Sequence, residues 1–351
     1  MKLLAISDLY IPYEFMQEGL AGLAELGIEV EVRHWEHSTL IDLQKDNLII
    51  ETQGFNAVLL PEEISANLDS FAMVIVQFAP VGTSFIQQAT NLAFIGVLRG
   101  GSENIDVETA TRRNITIMNT PGRNARAVAE CTMGMILAEI RNIARAHAHL
   151  KQKDWRRSFP NSSAIPELKG KNVGLVGYGA VGQLVAGYLQ AFGSRVIAYD
   201  PYFRGNPTPV QLVDLETLMQ ISDIVSIHAR LTAETHHLIG EKELSWMKPN
   251  AILVNTARSG LVDENALVKV LQENKIQGAA LDVFDEEPLP ADHPFIELEN
   301  ITIVPHIAGS TIDSFRNSPK QMAGQIQSAF EQQENLPIIN NIPFRFHVDT
   351  P

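Results

Sequence analysis

The sequence predicts an α/β protein with two Rossmann-like, doubly wound parallel-sheet domains, the first of which is discontinuous. Three observations support this prediction. Short apolar runs alternate with helical stretches along most of the 351 residues, and such alternation is typical of parallel sheets with crossover helices. A glycine-rich turn joins a strand to a helix near the middle of the chain. A last helical stretch follows after the second series of strands is complete.

The first domain is expected to cover residues 1–119 and 309–351. Its strands are predicted at residues 3–7, 29–33, 73–78, 94–98 and 115–118, and its helices at 14–26 and 83–91. Residues 36–67 show no readable pattern. The helix predicted at 313–333 follows the last strand of the second domain, so we expect it to return and pack on the first.

The second domain is expected to cover residues 120–308 and to begin with a long helix at 125–151. The apolar residues of this helix recur every three or four positions and are Met133, Ile136, Leu137, Ile140 and Ile143. They can pack on their own domain or form the arm of a homodimer. Strands are predicted at residues 173–176, 196–199, 224–228, 252–255, 279–283 and 301–304, and helices at 214–220, 241–247 and 265–273.

Composition restricts the partners and the compartment. The formal net charge of −14 argues against a nucleic-acid-binding surface, which needs a basic face. Cys131 is the only cysteine, so no intramolecular disulfide forms, and the chain fits a reducing compartment such as the cytoplasm. No apolar run reaches the roughly 20 residues of a membrane span, and the start lacks the pattern of a signal peptide. We predict no metal site.

The glycine turn lies in residues 172–182, with the sequence NVGLVGYGAVG. In a strand–turn–helix setting, Gly177 permits the tight turn, Gly179 lets the backbone approach a pyrophosphate and Gly182 allows close packing of helix and strand. The first helical residues, Ala180 and Val181, present free amides to the phosphates. The turn therefore predicts a dinucleotide site.

An acidic residue, Asp200, ends the next predicted strand, 18 residues after Gly182. A carboxylate at this place binds the ribose hydroxyls and repels a 2′-phosphate, which favours NAD over NADP. Arg204 nearby leaves NADP as the weaker alternative.

Four residues just past strand ends suit hydride transfer to a carbonyl: Arg258, Asp282, Glu287 and His306. Histidine can protonate an alkoxide, a carboxylate beside it raises its pKa, and arginine binds a substrate carboxylate. Each also has an ordinary interpretation: a capping or core histidine, a surface arginine, or a solvated acidic turn at Glu286 and Glu287. Their joint occurrence favours the catalytic interpretation.

The sequence resembles the D-2-hydroxyacid dehydrogenase family over nearly its whole length. The resembling stretches, besides the glycine turn and Asp200, are residues 119–130 (NTPGRNARAVAE), 246–260 (WMKPNAILVNTARSG), 280–288 (ALDVFDEEP) and 305–309 (PHIAG). The resemblance is strongest at residues 119–309 and weakest at 1–90.

The resemblance implies a role for each matching residue. Arg258 would orient the substrate, His306 would be the acid/base and Glu287 would tune it. Asp282 would lie near the nicotinamide carboxamide, and His228, Thr256 and Ala257 would line the cofactor. The stretch 98–106 resembles the family's substrate loop, with Arg99, Gly100 and Gly101 at the carboxylate. Asn124 matches a substrate-contacting asparagine, or is simply a helix N-cap.

Three departures from the family pattern limit this transfer of roles. No arginine follows the third strand, where 77–83 reads QFAPVGT, so a phosphorylated substrate is disfavoured. The usual His-x-Pro-Leu-Thr reads HARLT at 228–232, which places Arg230 beside the adenine. We expect no C-terminal regulatory domain. Further candidates for shaping the substrate pocket are Arg123, Arg126 and residues 155–157.

The resemblance thus implies an NAD-dependent oxidoreductase, expected to be a cytoplasmic homodimer, that interconverts a 2-oxo acid and a D-2-hydroxy acid. Which acid it uses stays open. One alternative is an NAD(H)-sensing, corepressor-like regulatory protein. Another is formate dehydrogenase, a relative in which glutamine pairs with the catalytic histidine, and Glu287 argues against it.

Overall fold

The computed structural model describes residues 1–162, 166–206 and 209–346. The chain forms two compact units. Unit 1 comprises Met1–Arg123 and Thr311–Pro351, and unit 2 comprises Asn124–Ser310. Predicted boundaries at 119/120 and 308/309 lie within four residues of these divisions (123 − 119 = 4; 310 − 308 = 2).

Unit 1 contains, in its described part, a five-stranded parallel sheet in the order β2-β1-β3-β4-β5. The strands are β1 (Lys2–Ser7), β2 (Glu29–His34), β3 (Met73–Val76), β4 (Phe94–Val97) and β5 (Thr116–Asn119). The helices are α1 (Tyr13–Leu20), α2 (Leu40–Gln53), α3 (Glu62–Ser65), α4 (Thr83–Gln88), α5 (Val107–Arg112) and, after unit 2, α12 (Ile312–Phe330). Short 3-10 helices occupy Ala21–Leu26 and Leu68–Ser70.

The sheet of unit 1 is covered on both faces, as a parallel sheet requires. Leu4 and Ile6 of β1 belong to one apolar cluster, and Leu3 and Ala5 belong to the other, on the side of α1 and α12. At the edge strand β5, the carbonyl of Ile117 accepts the amide of Ile339 at 3.0 Å. The C-terminal segment therefore blunts the edge of the sheet.

Unit 2 contains, within the described ranges, a seven-stranded parallel sheet in the order β12-β11-β10-β9-β6-β7-β8. The strands are β6 (Asn172–Val176), β7 (Arg195–Tyr199), β8 (Gln211–Leu212), β9 (Ile224–Ile227), β10 (Ile252–Asn255), β11 (Gly278–Leu281) and β12 (Ile301–Ile303). The helices are α6 (Ala125–Ile140), α7 (Ile143–Lys151), α8 (Ala180–Ala191), α9 (Leu215–Ile221), α10 (Glu241–Ser245) and α11 (Glu264–Gln272). Ser259–Leu261 and Pro294–Ile296 are 3-10 helices.

The strand order reverses between β6 and β9, which is the switch point where such sheets bind ligands. The doubly wound α/β class predicted for both domains is thus confirmed. Strand β8 was missed, because it has only two residues and both are exposed.

The long helix predicted at 125–151 is wrong as a single element. It ends at Ile140, and Asn142, with φ of 56°, interrupts it before α7 begins. Arg145 donates two hydrogen bonds, of 2.7 and 2.8 Å, to buried Glu139. Thr302 of β12 donates a third to Glu139 at 2.7 Å. This buried ion pair fixes the break against the sheet.

The apolar residues of this region divide at the break. Met133, Ile136 and Ile140 of α6 are buried in the core of unit 2, which accords with packing on their own domain. Ile143, at the start of α7, is 56% exposed. No helix in the described residues combines the length and apolar character needed to cross a membrane.

Candidate active site

The glycine turn connects β6 to α8, and packing explains two of its glycines. Gly177 has φ of 99°, and a Cβ there would lie 2.5 Å from the amide nitrogen of Ala229. A Cβ at Gly182 would lie 2.4 Å from the carbonyl oxygen of Gly177. Both positions therefore require glycine. Gly179, by contrast, faces open space and directly precedes the exposed residue Ala180.

The open space beside Gly179 has the features of a pyrophosphate site. The first turn of α8, with Ala180 and Val181, has backbone N–H groups that no preceding turn of the helix can accept. A side chain at 179 would fill the space in front of them. The turn therefore fits the phosphates of a dinucleotide.

Asp200, directly after β7, is bonded to the backbone on both sides. Its two carboxylate oxygens accept the amides of Tyr178 at 2.8 Å and Tyr202 at 2.9 Å. The carboxylate thereby ties the end of β7 to the glycine turn. The ribose contact predicted for Asp200 stays a prediction. Arg204 donates to the carbonyls of Pro201 and Phe203.

His228 lies next to the glycine turn, where its amide donates to the carbonyl of Val176 at 2.7 Å. Its Nε2 contacts the hydroxyl of Ser226 at 2.9 Å, and its buried Nδ1 has no partner among the described residues. Burial lowers the pKa of His228 to about 3, so the ring is neutral. The side chain thus supports the turn from the sheet side, and its predicted cofactor contact is not shown.

Arg258 is presented by a tight turn after β10. Asn255 accepts the amide of Ala257 at 3.0 Å and donates to the carbonyl of Arg258 at 2.9 Å. Thr256 pairs with the hydroxyl of Thr132 of α6 at 2.7 Å. The guanidinium of Arg258 is exposed, and its one hydrogen bond within the described ranges goes to the carbonyl of Ala257. Most of its donors are therefore free for an anionic ligand.

Glu287 and His306 form a hydrogen-bonded pair, with 2.7 Å between Oε2 and Nδ1. Glu287 also accepts the amide of Phe284 at 3.0 Å, which fixes the carboxylate. The hydrogen bond to Glu287 raises the pKa of His306, although partial burial opposes this. Burial would raise the pKa of Glu287, but its bonds to His306 and Phe284 outweigh burial and lower it.

The far nitrogen of His306, Nε2, makes no hydrogen bond among the described residues, and the side chain is 46% exposed. A carboxylate on one ring nitrogen fixes the tautomer and leaves the other free to exchange a proton. The pair thus has the parts of a general acid/base.

Asp282 holds the loop that carries His306. It is 1% exposed, and it accepts the amides of Ile307 at 2.6 Å and Ala308 at 3.0 Å. His306 has φ of 50°, a left-handed conformation that costs a non-glycine residue energy. Burial raises the pKa of Asp282. Sequence reasoning missed this role, although β11 and β12 are neighbours, so the residues that follow them had to meet.

In unit 1, the loop after β4 carries the predicted substrate residues. The amides of Gly100 and Gly101 donate to no acceptor in the described part of the chain. The Arg99 guanidinium, however, donates to Glu51 at 2.7 Å and Glu103 at 2.6 Å. It also lies over the ring of Phe78 at 5.3 Å. The two backbone amides of this loop are thus unpaired among the described residues, whereas the Arg99 side chain is already paired.

Asn124 immediately precedes α6, but its side chain does not cap the helix. Asn124 therefore occupies the N-cap position, as the alternative interpretation expected, without the side-chain hydrogen bond typical of an N-cap. Its Nδ2 packs against Gly309, where a Cβ would lie 2.3 Å away.

Unit 2, with an open glycine turn at its switch point and a paired histidine and glutamate, has the features of a nicotinamide-dependent oxidoreductase. The family model "D-isomer specific 2-hydroxyacid dehydrogenase, NAD binding domain" matches residues 133–308. Glyoxylate reductase of Thermofilum pendens is 40% identical over 286 residues, covering 80% of this chain and 84% of that protein.

Two further comparisons agree. D-3-phosphoglycerate dehydrogenase of Methanocaldococcus jannaschii is 40% identical over 293 residues, covering 81% of this chain but 55% of that longer protein. A D-isomer specific 2-hydroxyacid dehydrogenase of Lactobacillus delbrueckii ssp. bulgaricus, solved with NAD, has a TM-score of 0.76 at 25% identity, covering 97% of this chain and 100% of that chain. The chain belongs to the D-isomer specific 2-hydroxyacid dehydrogenase family and is an NAD-dependent enzyme.

Proposed function

We propose that this enzyme reversibly reduces a 2-oxo acid to a D-2-hydroxy acid, with His306 as the acid/base. The observation that carries the proposal is the 2.7 Å hydrogen bond between Glu287 and Nδ1 of His306, which leaves Nε2 free. When bound, NADH would supply the hydride that reduces the 2-carbon. Nε2 of His306 donates its proton to the carbonyl oxygen as the alkoxide forms. Glu287 stabilises the protonated imidazole and holds its tautomer.

Each unit is proposed to carry substrate-binding groups of its own. In unit 2, Arg258 binds the substrate carboxylate and orients the carbonyl. In unit 1, the amides of Gly100 and Gly101, which make no hydrogen bond among the described residues, bind a carboxylate, which makes unit 1 the substrate domain. Asn124 is proposed as a further substrate contact. Arg99 acts by fixing the loop, since its guanidinium is already paired.

The cofactor is proposed to contact several strand ends of unit 2. Asp200 binds the adenosine ribose through oxygen lone pairs that the two amides leave free. The remaining cofactor site is proposed to consist of Thr256, Ala257, Asp282 and His228. Asp282 and His228 act by supporting the backbone beside the cofactor.

Substitution of His306 tests the role of the acid/base. His306→Ala is expected to lower kcat for glyoxylate reduction by about 100- to 10,000-fold, because the proton donor is lost. NADH binding, measured by its fluorescence, should persist. Turnover close to that of the wild type would contradict the proposed role. Formate should give no NADH, since Glu287 stands where formate dehydrogenases have glutamine.

We further propose that the enzyme is a homodimer formed through α7 and the residues after it. Ile143 and Leu150, seven residues apart on α7, and Trp155 after it are 56%, 55% and 78% exposed, and exposed apolar side chains are typical of interaction sites. Sedimentation equilibrium should give twice the chain mass of 38.8 kDa. A monomer at micromolar concentration would contradict this proposal. The single cysteine supports a cytoplasmic location.

A further inference from the structure

A cluster of side chains at the carboxyl end of the unit 1 sheet has no role in the proposed mechanism. Tyr10, in the loop after β1, contacts Phe78 after β3 at a ring distance of 5.7 Å and Phe315 of α12 at 4.7 Å. Two charged residues flank these rings: Asp8 directly after β1 and Arg123 after β5. In doubly wound sheets this edge is where ligands bind.

Arg123 is a cation that has no ion-pair partner among the described residues. Its guanidinium lies over the ring of Phe315 at 5.1 Å. Its recorded hydrogen bond is a long one of 3.4 Å to the hydroxyl of Ser318, and it makes no ion pair within 4.0 Å in the described residues. Burial lowers the pKa of Arg123 to about 10, so it stays charged at neutral pH. Most of its five N–H donors are unused.

Asp8 is likewise only half used. One carboxylate oxygen, Oδ1, accepts the amides of Tyr10 at 2.9 Å and Ile11 at 2.8 Å. The other oxygen, Oδ2, has no hydrogen bond among the described residues, and the residue is 1% exposed. Burial raises the pKa of Asp8 to about 6, while the charges of His37 and Arg123 oppose the rise. Both groups lie beside the ring of Phe315, Arg123 directly over it and Asp8 through Tyr10, whose ring contacts Phe315, yet they form no ion pair within 4.0 Å.

Gln77 is a third incompletely bonded group at this edge. It follows β3, and neither atom of its buried side-chain amide has a partner in the described residues. By the alternation of the strand it lies on the same face as Met73 and Ile75, in the apolar cluster that includes Phe315. Buried polar groups are normally hydrogen-bonded, so incompletely bonded Asp8, Arg123 and Gln77 at one edge indicate that a polar ligand binds there.

The unused hydrogen-bonding atoms of Asp8 and Arg123 indicate which chemical group would fit between them. An anionic group would pair with Arg123 but would be repelled by Asp8. A cationic group would have the opposite difficulty. A hydroxyl can accept from a guanidinium and donate to a carboxylate at once, so it satisfies both.

The cluster is joined to the proposed carboxylate loop. The amide of Thr120, three residues before Arg123, donates to the carbonyls of Val97 at 3.1 Å and Arg99 at 3.2 Å. Asn119 donates to the carbonyl of Gly100 at 2.6 Å. A substrate whose carboxylate lies on this loop would therefore extend its other end along the same edge.

We propose that Asp8 and Arg123 recognise a hydroxyl on the side chain of the 2-oxo acid, so that the enzyme selects hydroxylated 2-oxo acids. This proposal rests on the proposed function. Asp8 and Arg123 are specificity-determining residues and take no part in hydride or proton transfer.

A pair of isosteric substrates tests the proposal. Hydroxypyruvate carries a hydroxyl where 2-oxobutyrate carries a methyl group, and glyoxylate has no side chain. We expect wild-type kcat/KM with NADH to favour hydroxypyruvate over 2-oxobutyrate by about 100-fold, since a site built for a hydroxyl rejects its apolar analogue. In Arg123→Met and Asp8→Asn the ratio should fall below about 10-fold, with glyoxylate reduction retained.

The controls separate folding from recognition. Arg112→Met removes an exposed cation of the same unit and should leave the ratio unchanged. Arg123→Lys keeps the charge and should give a ratio between those of the wild type and Arg123→Met. It also provides the test if Arg123→Met does not fold. An unchanged ratio in Arg123→Met, Arg123→Lys and Asp8→Asn would overturn the proposal, as would a wild-type preference for oxaloacetate. Wild-type protein that reduces none of these acids would instead contradict the proposed function itself.

Discussion

Polar side chains at the carboxyl ends of the two sheets differ in their hydrogen bonding: those of unit 2 are bonded to protein groups, whereas those of unit 1 are not bonded to one another. In unit 2, Glu287 is bonded to His306, and Asp282 is bonded to the amides that follow His306. In unit 1, Asp8 and Arg123 carry opposite charges but are not bonded to one another. Both groups follow buried parallel strands, so the fold alone does not cause the difference.

This difference corresponds to two proposed tasks, proton transfer in unit 2 and substrate recognition in unit 1. A proton donor must be held in one orientation before the substrate arrives, and its partners must therefore belong to the protein. A group that recognises a substrate gains most when its hydrogen bonds are completed by that substrate. In the roles proposed above, the Glu287–His306 pair of unit 2 corresponds to the first case and the Asp8–Arg123 cluster to the second.

The largest effect is expected from removing the support under His306. Asp282→Ala leaves the amides of Ile307 and Ala308 without an acceptor, so the left-handed conformation of His306 loses its restraint. Displacement of a catalytic group by about 1 Å costs roughly 100-fold, and we expect a loss of that order in kcat. Steady-state kinetics with glyoxylate provides the measurement. Asp282→Asn keeps one acceptor oxygen and should lose less activity. Wild-type activity in both variants would show that Asp282 does not hold His306 in place.

A smaller effect is expected from Glu287→Gln. Glu287 raises the pKa of His306, so the protonated donor persists to higher pH in the wild type than in the variant. In the reductive direction, kcat/KM should fall about 10-fold at neutral pH, and its decline with rising pH should begin at lower pH. Glu286→Gln, one residue away and exposed, is the matched control. Coincident pH profiles of Glu287→Gln and the wild type would rule out the tuning role.

The smallest effect is expected from Arg99→Met in unit 1. Arg99 bonds to Glu51 and Glu103, which are 37% and 49% exposed, so solvent weakens both ion pairs. We expect a loss of about 1 kcal/mol in the free energy of unfolding, measured in urea. KM should change more than kcat, because the loop only binds substrate. A selective loss of kcat would show that Arg99 touches the reacting group.

The sequence was most informative where function follows a strand end or a glycine turn. Gly177, Gly182, Arg258, Glu287 and His306 could all be proposed from the sequence because a parallel sheet brings such positions to one edge. The structure places Glu287 on His306 as predicted, whereas its catalytic role remains a proposal. The fold class was predictable for the same reason, since alternating strands and helices admit few arrangements.

The remainder depended on information that local patterns do not contain. Helix α2 escaped prediction because Leu40, Ile41 and Leu48 are exposed, so its apolar residues form no single stripe. The break at Asn142 was hidden because apolar spacing continues across it. The environment of Arg123 depends on Phe315, which lies 192 residues away in sequence (315 − 123) and on a helix added after unit 2.

With Asp200 as the proposed ribose ligand, its two hydrogen bonds to the backbone restrict how the coenzyme preference of this enzyme can be engineered. Replacing an acidic residue at this position by a small neutral one is a direct way to admit a 2′-phosphate. Here that exchange would also release the amides of Tyr178 and Tyr202, and with them the link between β7 and the glycine turn. A variant that accepts NADP would therefore need a new acceptor for the Tyr178 amide, and serine or asparagine is a better starting point than alanine.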